Sequence, residues 1–385
     1  MFYSILNLSL MTRRLIIILL IVSLFSSCSR KTQPIGGAES LVIYPAPPDT
    51  TRIQYLTSFS SAQDVTGRQR SFAKFILGGG EDITINKPYG IAVAKGKIYI
   101  CDTFIKGLQI VDMNENSFES FIPTGPGQLG VPINCFVDEK GFLYIADTER
   151  KQIVIFNEKS EYYNSFGEAE NFKPGDVMVL KDTIWVSNIS GHCISVYSND
   201  SSFSKLNSFP GSEPGNEEYL FSPTNLYVTD DEVYVTDFGA FIIKVYNHRG
   251  EFIRSIGSYG QNPGQFVRPK GIAVDKELNL YVVDAGFENA QIFNQRGELL
   301  MHFGGSYKGP GDMWLPAKVI LDYNHLSFFE KFVDPAFDLV YLIFITNQYG
   351  PDKINVYGYV TAASPGQKEG KPIKKKKSGR NDPMF

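Results

Sequence analysis

The sequence predicts an all-β chain arranged as a six-bladed β-propeller, and three observations carry that expectation. The composition joins 35 Gly and 21 Pro to 29 Phe and 21 Tyr among 385 residues, the ingredients of many short strands linked by tight turns. With 43% apolar and 20% charged side chains, the chain is foldable rather than disordered or fibrous. A unit opening on a proline recurs six times, with Pro88, Pro132, Pro174, Pro223, Pro269 and Pro316 standing 42 to 49 residues apart, the length of a four-stranded blade.

Each proline leads an apolar first strand, as in Pro88-Tyr89-Gly90-Ile91-Ala92-Val93. Second strands follow at 98–102, 143–147, 184–188, 233–237, 280–284 and 342–347, and third strands at 108–111, 152–156, 194–197, 243–246, 291–293 and 354–357. Phe166-Gly167, Ile256-Gly257 and Phe303-Gly304 mark the exits of fourth strands into Gly-rich connectors. The first two strands are almost continuously apolar, as strands pressed between neighbouring blades must be. The last unit has no fourth strand after Val360, whereas residues 52–59 form a strand without a blade. Pairing the two would complete the last blade and remove two exposed sheet edges.

These residues resemble the NHL repeat family, whose units read roughly as Pro, Gly, Ile-Ala-Val-Asp, then Leu-Tyr-Val-Ala-Asp, then Ile-Gln-Val-Phe. The units at 88, 132 and 269 match best, and the resemblance spans about residues 53 to 359. It implies an NHL-type propeller. The chain also looks like secreted bacterial NHL lipoproteins in its Tyr-Pro-x-Pro-Pro at 44–48 and in residues 346–351, and those are often associated with multihaem cytochromes of electron-export systems.

The first residues carry Arg13 and Arg14, an apolar run at 15–25 and Ser26-Ser27-Cys28-Ser29, the pattern of a secretion signal. The run of 11 residues is too short for a bilayer, which needs about 20. Met11, directly before the arginines, offers a second start beside Met1. The residues ending in Cys28 resemble a bacterial lipobox, which implies cleavage before Cys28 and a lipid anchor on its thiol, and Ser29 resembles lipoproteins sent to an outer membrane. An ordinary signal cut elsewhere is the competing reading. The expected organisation is a lipoprotein signal over 1–27, a tether over 28–51, the propeller over 52–360 and a disordered basic tail over 361–385.

Residues 323–338 interrupt the last unit between its first and second strands, and Leu326, Phe329, Phe332 and Val333 fall on a helical stripe, so a small helical insertion is expected there. Its aromatics, Phe328, Phe329 and Phe332, are either a cap on the core or a partner surface. The tail from Gly366 carries a net charge of +5; with it and the two signal arginines removed from the formal −4, the body stands at −11. A body of that sign argues against nucleic-acid binding.

Chemistry-bearing clusters are scarce. Cys101 and Cys135 occupy strand positions expected to be buried, and Cys193 a more exposed one. His192, His248, His302 and His325 are scattered over four units without metal-ligand spacing. Asp102, Asp147, Asn188, Asp237, Asp284 and Asn347 each close a second strand, and such a repeated carboxylate or amide is expected to accept backbone N–H bonds in Asx turns. No catalytic residue, cofactor or metal ligand is assigned. Two functions stay open: a non-enzymatic, membrane-anchored platform for an envelope protein partner or a ligand, accessory to a cytochrome complex if the resemblance extends so far, or a metal-dependent propeller enzyme of the lyase or lactonase type.

Overall fold

The computed structural model describes residues 41–67, 83–167, 170–363 and 383–385. The expected signal, Cys28 and most of the expected basic tail lie outside the described residues.

Six antiparallel sheets follow one another along the chain. Blade 1 consists of Pro88–Ala94, Lys97–Asp102, Gly107–Asp112 and Ser117–Phe121, each strand hydrogen-bonded to the next. The first strands of the later blades are Pro132–Val137, Pro174–Leu180, Pro223–Val228, Pro269–Val274 and Pro316–Asp322. They pack side by side in that order, and the sixth returns to blade 1, so the ring closes around a central channel. One apolar cluster fills the space between each pair of neighbouring blades, as Ile98, Ile100, Phe344 and Val356 do between blades 6 and 1. Packing on both faces is why the inner strands are apolar at nearly every position.

Closure uses the segment the repeat leaves over. The last sheet runs in the order Ile43–Tyr44, Ile53–Phe59, Ile354–Ala362, Phe337–Asn347, Pro316–Asp322. Ile53 and Phe59 are fully buried, each contributing about 1.5–3 kcal/mol of transfer free energy. The buried Gln54 lies beside them: its amide donates to Phe332 O at 2.9 Å and its carbonyl accepts from Asp334 N–H at 3.0 Å. One strand thus fixes both the last blade and the insertion beneath it. The short strand Ile43–Tyr44 falls within the stretch read as a tether. The chain folds back there because Arg52 N–H donates to Tyr44 O at 2.8 Å and Tyr44 Oη donates to Gly311 O at 3.1 Å.

The insertion is not an α-helix. It forms two successive 3-10 turns, Leu326–Phe328 and Glu330–Phe332, and the spacing of Leu326, Phe329 and Phe332 by threes is the period of that tighter helix. The tail also has fixed parts: the last strand runs to Ala362, and Met384 is buried with its N–H bonded to Val65 O at 2.7 Å. Val65 belongs to a short helix, Ala62–Thr66, opened by a capping box between Ser61 and Asp64 and closed at Gly67 in the left-handed region.

In all six blades the pairing of first and second strands shifts register just after the leading proline. A bulge there bends the strand and re-aims the side chains that follow the proline. Deletion of residues 52–60 should leave two unpaired edges and an uncovered core, giving insoluble protein; a soluble, cooperatively melting truncation would refute this account of closure.

Candidate functional site

The chain enters each first strand at its proline on one face of the disc, here the connector face, and turns into the second strand on the opposite face. The six acidic or amide residues that close the second strands hold the connector face together. Asp147 accepts N–H bonds from Gly130 and Val131 before its first strand and from Glu149 and Arg150 in the turn after its second, at 2.7–3.1 Å. Asp284 repeats the pattern with Val267, Arg268, Gly286 and Phe287, and Asp102 with Asn86, Lys87 and Phe104. Asn188, Asp237 and Asn347 make partial versions of it. These side chains are spent on architecture, as their repetition implies.

The residue before each of them joins blade to blade where it carries a hydroxyl. Ser187 donates to Thr224 O at 3.3 Å, Thr236 to Lys270 O at 2.7 Å and Thr346 to Tyr89 O at 2.6 Å. Each accepting carbonyl belongs to the residue after a leading proline, so the clamps grip the bulges.

Inside the clamps, the second residue after each proline forms a girdle around the channel: Gly90, Asn134, Asp176, Asn225, Gly271 and Lys318. The two glycines are needed for room, because a Cβ at Gly90 would lie 2.4 Å from Asn134 Cα and one at Gly271 2.4 Å from Lys318 Cα. Lys318 reaches across the axis from blade 6 to ion-pair with Asp176 of blade 3, the blade opposite. Asp176 also accepts from Asn225 Nδ2 at 3.3 Å and Leu226 N–H at 3.2 Å, and Asn134 Nδ2 donates to Gly175 O at 2.7 Å. The pair is a bar that divides the channel. Beyond it lies an apolar chamber of about 160 Å³ lined by Ile91, Cys135, Val177, Leu226, Ile272 and Val319, leading toward a cleft of about 750 Å³ on the opposite face bordered by Tyr227, Asp230, Glu232, Arg254 and Tyr323.

Above the bar, at the mouth, stand Tyr89 and Lys270. Lys270 Nζ lies 5.0 Å from the centroid of the Tyr89 ring and donates to Gln348 Oε1 at 3.3 Å. Burial, with Arg268 and Lys87 nearby, pushes its ammonium down to about 8. Burial first, and then the Asp176 charge, raises the Tyr89 hydroxyl, with Arg268 opposing. The face around the mouth is rich in exposed aromatics. Of the seven exposed aromatic side chains among the described residues, Phe104, Phe221, Tyr259, Trp314 and Tyr349 stand on its loops; Phe104 is 72% exposed and Tyr259 66%.

The residues singled out from sequence are placed differently. Phe329 is fully buried against Phe344, with ring centroids 5.5 Å apart, so it belongs to the core and cannot be part of a partner surface. Phe328 and Phe332 are half-buried in the same cluster, and Phe385 from the chain's own end packs on Phe328 and Phe329 at 6.1 and 5.4 Å. Cys193 is buried rather than exposed, its thiol lying 3.8 Å from Ser195 Oγ beneath the turn that carries Gly191. Burial pushes the Cys101 thiol up, and both Cys101 and Cys135 lie in the cluster between blades 1 and 2. His325 Nδ1 lies 2.9 Å from Asp322 and its Nε2 accepts from Gly96 N–H at 2.9 Å, so this histidine links the insertion to blade 1. Among the described residues no group of three His, Cys, Asp or Glu is placed to share a metal ion.

Two outcomes test this geometry. Asp176→Asn should leave the Lys318 ammonium buried without its counterion and cost about 3–5 kcal/mol in urea unfolding, with Lys318→Met in the same chain restoring most of the loss; equal losses in the single and double variants would show that the bar is energetically idle. For Lys270 the folded value of about 8 lies below the ordinary 10.5, so between them the unfolded chain binds more protons and stability rises with pH. Lys270→Met should therefore melt higher than the parent at pH 7 by roughly 3 kcal/mol, and the gap should close toward pH 10.5.

A model of a family described as a 6-bladed beta-propeller matches residues 215–323. No curated protein matches the chain. Among solved structures it is similar to a structural genomics protein of unknown function from Bacteroides thetaiotaomicron, with 13% identity and a TM-score of 0.55 over 80% of this chain and 75% of that one. It is similar also to a gluconolactonase from Xanthomonas campestris, with 13% identity and a TM-score of 0.53 over 84% of this chain and 99% of that one. Virginiamycin B lyase from Staphylococcus aureus gives 13% identity and a TM-score of 0.48 over 71% and 95%. The family match and the sheet topology make the chain a six-bladed β-propeller; at these identities the structural likenesses speak for fold alone.

Proposed function

We propose that this protein is a non-catalytic binding platform of the bacterial cell envelope, held at the outer membrane by a lipid on Cys28 and meeting its partner through the connector face. The observation that carries the reading is the crowd of exposed aromatics around the channel mouth, since rings of this kind supply large contact area at low entropic cost and are enriched where proteins bind. They stand on loops fixed at their bases by the Asx bonds, which gives a pre-ordered surface. The signal-like leader and its lipobox pattern supply the address, and the resemblance to NHL lipoproteins supplies the cytochrome-accessory role.

The second reading, a metal-dependent lactonase- or lyase-type enzyme, draws on the fold it shares with the Xanthomonas gluconolactonase. Against it stands Lys318, whose ammonium neutralises Asp176, the single carboxylate of the channel girdle, and would repel a metal cation there.

Pull-down from native membranes with the full chain, beside a variant carrying Phe104→Ser, Tyr259→Ser and Tyr349→Ser, separates the readings. The variant should melt within about 0.5 kcal/mol of the parent, since these are surface positions, and should lose the envelope partner. Retention of the partner by the variant, or stoichiometric metal in the purified parent with turnover of a lactone, would overturn the platform.

A further inference from the structure

We propose that the mouth of the central channel on the connector face is a binding site for a small anion, a carboxylate or phosphate group, held by Lys270 with Arg268 and Lys87 and bordered by Trp314 and Tyr349. The inference deepens the platform reading and rests on it only in taking the same face as the working one.

Two lysines of the channel make the argument by contrast. Lys318 and Lys270 are 7% and 8% exposed, so both have given up nearly all their water. Lys318 has a counterion in Asp176. Lys270 has none: among the described residues no carboxylate forms an ion pair with Lys270, Arg268 or Lys87. Its contacts are one neutral oxygen, Gln348 Oε1, and one ring face, Tyr89. Burial pushes it down, and Arg268 and Lys87, which carry its own sign, push it further. A desolvated ammonium acted on by two further cations is an incomplete arrangement, since buried charges in proteins are ordinarily paired. An anion at the mouth completes it.

Among the residues directly after the leading prolines, Gly175, Thr224 and Ala317 are small, so three of the six blades add little bulk at this level beside Tyr89, Ile133 and Lys270. The Lys318–Asp176 bar closes the floor with its charges already balanced, so an anion is stopped at the level of Lys270. The rim is continuous with this point. Gln348 N–H donates to Leu315 O at 3.2 Å and Tyr349 N–H to Trp314 O at 3.4 Å, so the residue touching Lys270 is next to the two residues that carry the exposed rings. Flat apolar walls with a few convergent polar groups are the composition of small-ligand sites. The cations are also local, standing at the centre of a body whose formal charge is strongly negative.

Trp314 is a built-in reporter, because the other tryptophan, Trp185, is buried between blades 3 and 4. The full chain in detergent is titrated at pH 6.5 with inorganic phosphate, benzoate and glucuronate, following Trp314 emission and heat. Saturable binding of at least one probe is expected, weakened about tenfold or more by Lys270→Met and severalfold by Arg268→Gln, with Lys181→Met on the opposite face as an unaffected control. A stronger response to phosphate marks a phosphoryl ligand and a stronger response to the carboxylates an organic acid; either supports the site. Absence of saturable binding by all three probes, or equal affinity in parent, Lys270→Met and Arg268→Gln, would overturn it. Arg268 is exposed, so its variant tests the site without altering a buried position. The membrane pull-down reads the platform and this titration reads the anion site, so either can fail alone.

Discussion

Ring closure is the constraint on which everything else in this molecule depends. A single blade is a four-stranded sheet with apolar residues on both faces, which no blade can bury by itself. Six of them bury those faces only if the sixth meets the first, and that meeting is made by Ile53–Phe59 laid along Ile354–Ala362. The same step creates the channel. Before closure, Tyr89, Asp176, Lys270 and Lys318 are positions in four separate sheets; after it they surround one axis. Lys318 and Asp176 are 142 residues apart in the chain, and their pairing has no meaning except in a closed ring.

Closure and the central site differ in how legible they are in the sequence. The blades could be read because they repeat: a proline, an apolar strand, a second strand closing on Asp or Asn, at a nearly fixed interval. The unpaired strand at 52–59 could be read because the last repeat lacked one. The channel residues could not be read this way, since the two positions after each proline are where the repeats disagree, being Tyr-Gly, Ile-Asn, Gly-Asp, Thr-Asn, Lys-Gly and Ala-Lys in turn. Their shared direction comes from a bulge, which leaves no residue signature of its own. The signal that could have found them is that disagreement: a charged or polar residue breaking the pattern of an innermost strand has either a partner across the channel or a ligand in it.

The insertion and the tail illustrate a second limit. Leu326, Phe329, Phe332 and Val333 suit an α-helical and a 3-10 stripe almost equally, and the choice is made by tertiary packing on Phe344 and by Gln54 bonding Phe332 O and Asp334 N–H. Composition marked the chain's end as a charged, solvated tail, yet its last residues, Met384 and Phe385, are apolar and pack beneath blades 6 and 1. Two residues are too few for any periodicity to report. Their docking also explains why Phe328 and Phe329 looked available: an aromatic cluster read without its cover looks like an interface.

The polar interior divides along the same line as the repeat. Positions that recur, the Asx residues and the hydroxyls before them, satisfy backbone groups of the connectors and bulges, and their work is identical from blade to blade. Positions that vary hold charge. A bar of Lys318 and Asp176 contributes little net stability over a well-packed apolar pair, because desolvation offsets most of the attraction. Its effect is on order: it ties opposite blades and lets the ring accept one arrangement of its six units, the registry role for which buried ion pairs are best suited. Lys270, equally buried and unpaired by any carboxylate among the described residues, has no such structural task. A fold that balances one channel cation and leaves the next unbalanced, at the centre of its aromatic face, has kept that charge for something that comes from outside.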